Sequence, residues 1–444
     1  MAHALDGYVA EWERLRPRWQ HNGHNGLARV REEALQQFIS RGFPTTREEE
    51  WRFTSVAPIA ERTFALAPPS RISVSAGDIL PVRLPIAPAV ELVFINGHHV
   101  PALSRVGALP EGARVENLVT ALAGASDQVE PHLARTPFVE QQPFVALNTA
   151  FLDDGAWIQV PAGATLQQPI HLLFFSTGDP DARPMMSHPR ILAILGENSQ
   201  ASVIETHAGT NGAQYFTNVL TEIVVGDNAV LDHYTLQYDS PEAYHVGAIH
   251  VRTARSATYR SHSVSLGGAL VRNDVTAVLN GEGAECTLNG LYAADARRLV
   301  DNHTTIDHAQ PHCGSREVYK GILADHARGV FNGKIIVRPD AQKTDAKQTN
   351  RALLLSEDAQ INTKPQLEIF ANDVKCTHGA AVGQLDDEAV FYMRSRGLSD
   401  ASARRMLIHA FAADVLNRLP LEPVREGIEE RLQQQLARSL PAAA

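Results

Sequence analysis

Short runs of alternating hydrophobic and polar residues fill the chain from about residue 144 to residue 385. Each run follows a turn, and the turns end at Ser199, Ala229, Ala257, Ala284, Ala327 and Ala359. Successive turn ends are 30, 28, 27, 43 and 32 residues apart. Strands that return every ~25–30 residues are typical of a stacked β-solenoid, whereas the strands of a β-sandwich recur at about 8–12 residues. The spacing therefore favours a solenoid.

The same pattern predicts strands through the block Gly329–Gly397. Lys334–Val337 and Leu367–Phe370 are short β-branched or aromatic runs bounded by Asn, Gly, Pro and Asp, which is typical of strands. Cys376 and His378 follow in a further predicted strand, where residues two apart point to the same face. A thiolate and an imidazole on one face can hold iron, although a packed structural cysteine is the better single interpretation of Cys376.

Helical periodicity appears at the N-terminal end. Apolar residues recur from Leu27 to Ile39 at spacings of three and four, and the run stops at Gly42 and Pro44, which predicts one amphipathic helix. Thr46 and Glu49 fit a capping box and predict a second short helix near Arg47–Phe53. Asn96-Gly97 predicts the tight turn of a hairpin over Val93–Val100.

Helical periodicity returns after Gly397. Ser399 and Asp400 can cap a helix whose apolar face runs from Leu407 to Leu419, and a second amphipathic segment covers Val424–Leu440. We therefore expect a mainly β protein in three parts. These are an N-terminal helical and mixed region (1–143), a solenoid core (144–395) and a C-terminal helical segment (396–444).

Charge and hydropathy argue against nucleic-acid and membrane partners. The chain has 40 basic and 50 acidic residues, a formal charge of −10, so no net positive field attracts phosphates. There is no run of about 18 apolar residues, and charged residues stand where a signal peptide needs an apolar stretch. The sequence therefore predicts a cytoplasmic protein without a membrane span.

The cysteines give no complete metal site. Cys286, Cys313 and Cys376 are scattered and form no CxxC pair, whereas a zinc site or cluster needs about four ligands. Any metal site built on them would have to be shared with another chain. A second group of possible ligands is Asp307, His308, His312, Cys313 and His326. His308 and His312 flank Pro311 in a predicted turn, where histidines are usually solvated.

Known catalytic motifs are missing from the sequence. Gly329–Lys334 has only three residues between its glycines and Ile335 after the lysine, so it departs from a phosphate-binding loop, and we expect no ATP binding. GxSxG and HExxH are absent. The adjacent pairs Asp153-Asp154 and Asp386-Asp387 fit turns better than an acid/base couple, because neighbouring side chains diverge in an extended chain.

Several consecutive segments resemble the SufB/SufD family, the scaffold proteins of the SUF iron–sulfur cluster assembly system. They are GVFNGKIIV (329–337), KTDAKQTN (343–350), SEDAQINTKPQLEIF (356–370), KCTHGAAVG (375–383) and FYMRSRG (391–397). The KCTHGA loop is most similar to the SufD type. The resemblance is good over about residues 145–420 and poor over the first hundred.

The resemblance implies a right-handed parallel β-helix (solenoid) core and a non-catalytic role. It implies pairing with a SufB-type subunit, docking of the SufC ATPase on the C-terminal helices, and support of de novo cluster assembly and iron acquisition. His378 then corresponds to a histidine implicated in the nascent cluster, with Cys376 beside it in a less certain role. No cofactor is expected on the chain alone, only a transient iron–sulfur cluster at the partner interface.

Alternatives remain open at this point. Leu407, Phe411 and Val415 are candidate contacts with the ATPase, but the apolar face to which they belong can equally pack on the solenoid. A β-solenoid carbohydrate-active enzyme would need clustered carboxylates on the core strands, and Asp274 has no acidic neighbour on its own strand. A stand-alone metal-binding protein would need four convergent ligands.

Overall fold

Two parallel β-sheets stacked face to face form the core of the protein. The computed structural model describes residues 2–20, 25–66, 74–135, 142–178 and 183–439. Successive strands of the core alternate between the sheets, so each pair of strands forms one coil of a solenoid. The predicted parallel solenoid, flanked by helices at both ends, is confirmed.

The first sheet carries one set of alternate strands. In spatial order they are β5 (Arg114–Asn117), β6 (Gly155–Val160), β9 (Arg190–Leu195), β11 (Tyr215–Val225), β13 (Tyr244–Thr253), β15 (Leu270–Leu279), β17 (Leu299–His308), β19 (Arg328–Val337) and β21 (Gln360–Ile369). Two short strands, β1 (Ala65–Leu66) and β8 (Met185–Ser187), join beside β11. All pairs between the long strands from β6 to β21 are parallel.

The second sheet carries the other set. In spatial order they are β3 (His98–His99), β2 (Val90–Ile95), β7 (Ile170–Ser176), β10 (Gln200–Gly209), β12 (Val230–Tyr238), β14 (Thr258–Ser265), β16 (Glu285–Ala294), β18 (Gly314–Leu323), β20 (Asp345–Leu354) and β22 (Lys375–Gly383). β4 (Arg105–Val106) pairs with β2. The hairpin predicted at Asn96-Gly97 is confirmed, because both residues have positive φ and β2 pairs antiparallel with β3.

Helices cover the outer faces of both sheets. In chain order they are α1 (Ala2–Gln20), α2 (Asn25–Arg41), α3 (Ala57–Ala60), α4 (Ala76–Ile79), α5 (Leu118–Val129), α6 (Pro143–Ala150), α7 (Asp387–Ser395), α8 (Asp400–Leu416) and α9 (Glu422–Ser439). Trp51, Phe144 and neighbouring aromatic residues join the N-terminal helices to the first sheet. Ile408, Val415 and Ile428 join α8 and α9 to the second sheet. No helix of the described residues is both long and apolar enough to cross a membrane.

The predicted helices are mostly confirmed, with two corrections. α2 and α8 lie where they were expected, and Ser399 caps α8 by accepting a hydrogen bond from the Ser402 amide. The predicted helix near Arg47–Phe53 is a single 3₁₀ turn (Glu49–Trp51). The contact expected between Thr46 and Glu49 lies one residue earlier, where Glu48 accepts a hydrogen bond from the Thr45 amide. α9 agrees with the second C-terminal segment, whose last predicted residue, Leu440, lies outside the described residues.

A second correction concerns the end of the strand block. The sequence predicted strands up to Gly397, but Asp386 accepts a hydrogen bond from the Glu388 amide and so begins α7. The last strand of the solenoid is therefore β22, and Phe391 and Tyr392 belong to a helix. The division of the chain at residues 143 and 395 stays a prediction.

The predicted repeat is confirmed, but the six predicted turns do not all precede strands of the same sheet. The turns ending at Ser199, Ala229, Ala257 and Ala284 all precede strands of the second sheet, whereas Ala327 and Ala359 precede β19 and β21 of the first. The next turns before second-sheet strands are Gln310–Cys313 and Ala341–Thr344. Their corner residues, His312 and Lys343, have φ of 61° and 63°, close to the 55° of Asn198. The 43-residue gap between Ala284 and Ala327 therefore arises because the first of these turns precedes a second-sheet strand and the other precedes a first-sheet strand.

Two tyrosines interlock β16 and β18 inside the solenoid. Tyr319 pairs with Gly290, and Tyr292 pairs with Gly321. A Cβ atom on Gly290 would lie 2.2 Å from the Tyr319 ring, and one on Gly321 would lie 2.4 Å from the Tyr292 ring. Each ring thus fills the space that the glycine opposite leaves free.

Gly321→Ala is expected to destabilise the protein by about 1–3 kcal/mol, because the added methyl group forces a buried ring out of its site. Gly314→Ala is the matched control in the same strand, since the nearest atoms to its Cβ would be 4.0 Å away. The two urea-unfolding midpoints measure the difference. Equal midpoints would contradict the interlocking of glycine and ring.

Candidate functional site

The candidate site lies on the last coil of the solenoid. β21 and β22 are at the ends of their sheets and each pairs along its length with one strand, β19 or β20. Every residue of β22 except Cys376 is exposed. The inward-facing side chains of this coil are therefore accessible from the open end.

Cys376 and His378 occupy alternate positions of β22, as predicted for a strand. Cys376 is in register with Ala346, and His378 with Gln348. Cys376 is partly buried against a small apolar cluster that contains Ile335 and Val337. Because Cys376 faces the interior, His378, two residues on, faces the same way but is exposed.

The two side chains differ in their readiness to bind a metal. Burial raises the pKa of the Cys376 thiol, so the thiol is protonated near neutral pH. The His378 imidazole makes no hydrogen bond with any residue that the structure describes. Among the described residues, no three His, Cys, Asp or Glu side chains are placed to hold one metal ion. The pair therefore offers one exposed imidazole without a hydrogen-bond partner among the described residues, and one partly buried thiol that stays protonated.

A column of polar side chains leads from His378 into the interior. Gln348 and Glu317 occupy the same register position as His378 on β20 and β18. Both are 1% exposed, and Gln348 Nε2 donates to Glu317 Oε2 at 2.7 Å. Sequence reasoning missed both residues. The available signal was the coil period, since the three residues stand one coil apart along the chain.

Burial perturbs the acid–base behaviour of this column. Loss of solvation raises the pKa of Glu317 to about 7, although the hydrogen bond from Gln348 acts in the opposite direction. Because water does not solvate the charged form, the carboxyl group stays largely protonated below neutral pH.

The second predicted group of ligands does not converge. Asp307 pairs with Arg338 at 2.6 Å, whereas the neighbouring His308 faces the interior and contacts Ser315 at 2.9 Å. The turn prediction is thus wrong for His308, which is a buried strand residue. The remaining members lie apart: His312 is exposed at a corner, Cys313 is buried with its thiol donating to the Gly281 carbonyl, and His326 lies 3.5 Å from Asp358.

The predicted acidic pairs have structural partners. Asp154 accepts hydrogen bonds from the backbone amides of His99 and Val119, and Asp386 caps α7. Asp274 forms a bidentate contact with Arg272. Cys286, like Cys313, is buried, and burial raises the pKa of its thiol.

The three predicted docking residues differ in exposure. Val415 is 1% exposed and packs inside the protein between α8 and the second sheet. Phe411 and Leu407 are half-buried, and the Lys320 ammonium lies 4.4 Å from the centre of the Phe411 ring. Larger apolar surface is open on the preceding helix, where Phe391 is 73% exposed and Tyr392 58% exposed.

Comparison with known proteins matches nearly the whole chain. Residues 175–411 match the family model described as "SUF system FeS cluster assembly, SufBD core domain", and residues 4–172 match "SufBD protein N-terminal region". The chain is 35% identical to an iron–sulfur cluster assembly SufBD family protein of Synechocystis sp., over 91% of this chain and 90% of that protein.

Two further relatives have similar coverage. The chain is 34% identical to the iron–sulfur cluster assembly protein SufD of Escherichia coli, over 90% of this chain and 91% of that protein. It is 31% identical to the protein ABCI7, chloroplastic, of Arabidopsis thaliana, over 90% of this chain and 84% of that protein.

Glu317→Gln should become more stabilising, relative to the natural chain, as pH rises. A carboxyl group whose pKa is about 7 in the fold and about 4.5 when unfolded binds more protons in the folded state between these values. The contribution of Glu317 to folding stability is therefore fully present below about pH 4.5 and is lost as the pH rises through about 7. Glutamine has no charge to bury, so the variant does not show this loss.

Thermal unfolding midpoints at pH 4.5, 6, 7 and 8 test this expectation. Glu285→Gln is the control, because Glu285 is exposed on a neighbouring strand of the same sheet. A difference between Glu317→Gln and the natural chain that stays constant with pH would contradict the raised pKa.

Proposed function

Because the chain belongs to the SufBD family of iron–sulfur cluster assembly proteins and is SufD-like, we propose that it is the SufD-type scaffold subunit of a SUF complex. In this role it pairs with a SufB-type subunit and with the SufC ATPase, supports de novo cluster assembly and iron acquisition, and catalyses no reaction of its own. The observation that carries the proposal is the position of Cys376 and His378 on the uncovered last coil.

The open end of the solenoid supports pairing with a homologous subunit. β21 and β22 leave one side of each strand without a parallel neighbour in the described structure. Unpaired strand edges favour the addition of another strand, because their amides and carbonyls are ready to form ladder hydrogen bonds. A second solenoid with a similar coil geometry fits this surface.

The ligand set supports a shared cluster site. An iron–sulfur cluster is held by about four ligands, whereas this coil offers the free His378 and a thiol that burial keeps protonated. In the proposed complex the cluster is the product that the complex builds. His378 supplies a ligand or handles a proton at the junction, and the partner supplies the remaining ligands.

The C-terminal helices support docking of the ATPase. Val415 is inside the protein, so the proposed contact surface shifts to Leu407, Phe411 and the exposed rings of α7. Phe391 and Tyr392 are suited to this role, since aromatic residues are enriched at the centres of protein interfaces.

His378→Ala should leave the complex assembled but lower its iron and sulfide content. The imidazole contributes a ligand and no packing, because it is exposed and has no hydrogen-bond partner in the described chain. Native mass spectrometry of the chain co-expressed with its two partners measures assembly, and iron and acid-labile sulfide are measured on the same preparation.

Cys376→Ala is the companion variant, since its thiol is protonated and packed, and it is expected to reduce the content less than His378→Ala. Unchanged iron and sulfide content in the His378→Ala complex would overturn the proposed site. A persistent monomer in the presence of both partners would overturn the scaffold function.

Phe391→Ala with Tyr392→Ala should weaken ATPase binding by removing two exposed rings from α7, a loss of about 2 kcal/mol or more if they are central contacts. Titration calorimetry with the isolated ATPase subunit measures the effect. Leu80→Ala is the control, because Leu80 is equally exposed, at 67%, in the N-terminal region. Equal affinities for both variants would place the docking surface elsewhere.

A further inference from the structure

The segment KTDAKQTN (343–350) carries part of the family resemblance but has no role in the site so far. Its residues 345–350 form the first part of β20 (Asp345–Leu354), the strand next to β22. On this strand Gln348 and Asn350 both face the interior, and each is 1% exposed. Two buried amides so close to the open coil need a physical explanation, since buried polar groups are normally fully hydrogen-bonded.

Only one of the two polar atoms of the Gln348 side chain is hydrogen-bonded within the described structure. Its Nε2 donates to Glu317 Oε2 at 2.7 Å, which fixes the orientation of the amide. The amide oxygen, Oε1, has no hydrogen-bond partner among the residues that the structure describes. Because the amino group is committed to Glu317, this carbonyl oxygen is free to accept a hydrogen bond from another neighbour.

The neighbour at the same register position on the other side is His378. Glu317, Gln348 and His378 stand in one column on three successive strands, and parallel strands lie about 4.8 Å apart. The hydrogen bond between Glu317 and Gln348 shows that side chains one step apart in this column reach each other. The step from Gln348 to His378 has the same strand spacing and register.

We propose that Gln348 is the positioning residue of His378 in the assembled complex: its carbonyl oxygen, which has no partner in the described structure, there accepts one ring N–H and directs the other ring nitrogen, with its lone pair, out of the open end. Histidines that bind metals generally donate their second N–H to a carbonyl or carboxylate, which fixes the tautomer and ring orientation. Glu317 anchors the amide and acts one step further away. This inference rests on the proposed function of His378.

Gln348→Met is the direct test, made in the co-expressed complex. Methionine keeps the length and burial of the side chain but removes the carbonyl oxygen. Loss of such a partner typically costs 10–100-fold in metal affinity or activity, so we expect about a tenfold lower iron and sulfide content. Asn350→Leu is the matched control, because Asn350 is an equally buried amide on the same face but is in register with Ala380.

A double variant separates positioning from general loss of structure. If Gln348 acts through His378, then Gln348→Met combined with His378→Ala loads no less iron and sulfide than His378→Ala alone. A further loss in the double variant would show that Gln348 acts independently and would overturn the inference. Equal effects of Gln348→Met and Asn350→Leu would also overturn it.

Gln348→Glu combined with Glu317→Gln keeps the proposal testable if the methionine variant fails to assemble, because the exchanged pair still holds one amide and one carboxyl group. The carboxyl group at position 348 retains an acceptor oxygen toward His378, so cluster content should stay close to that of the natural complex, and a loss as large as that of His378→Ala would contradict the proposal. Failure of the proposed function is recognised separately, because His378→Ala would then leave the content unchanged whatever happens at Gln348.

Discussion

The in-register stacking of parallel strands is the constraint on which the rest of this protein depends. Each coil buries its inward side chains against the coils before and after it, and the ladders of both sheets continue without a change of register from β11 to β22. Stacking places the same position of every coil in one column, as in Gly290 and Tyr319. A residue is therefore constrained mainly by residues about 30 positions away along the chain.

Stacking also determines the pKa values of carboxyl groups inside the solenoid. Glu205 and Glu317 are both buried inside the solenoid, and burial alone raises the pKa of each carboxyl group. At Glu205, His233 and His207 more than offset burial and lower the pKa to about 2, whereas no histidine of the described residues acts on Glu317 and its pKa rises to about 7. The side chains of neighbouring coils thus decide whether an interior carboxyl group is charged.

The alternation of side chains within a strand could be predicted from the sequence, whereas the contacts between successive coils could not. Alternation within β22 was sufficient to place Cys376 and His378 on one face, because that needs only the two-residue period of a strand. The column of Glu317, Gln348 and His378 could not be derived in that way, because turn lengths vary and one extra residue moves a side chain to the other face. The strand expected around Phe391 was a helix, although Asp386, Asp387 and Glu388 are the capping and acidic first-turn residues typical of a helix start.

The open coil connects the fold to its site. Proteins usually protect exposed strand edges with charges, proline or a covering element, yet between Lys375 and Gly383 the last strand carries mainly small or apolar residues, among them Ala380, Ala381 and Val382. Such a strand is chemically suited to stacking against another coil. The interior polar column reaches solvent at this same end, because no strand in the described part of the chain follows β22 to cover His378. A coil stacked here would bury the edge and enclose His378 in one step, so completion of the fold and completion of the site depend on the same contact.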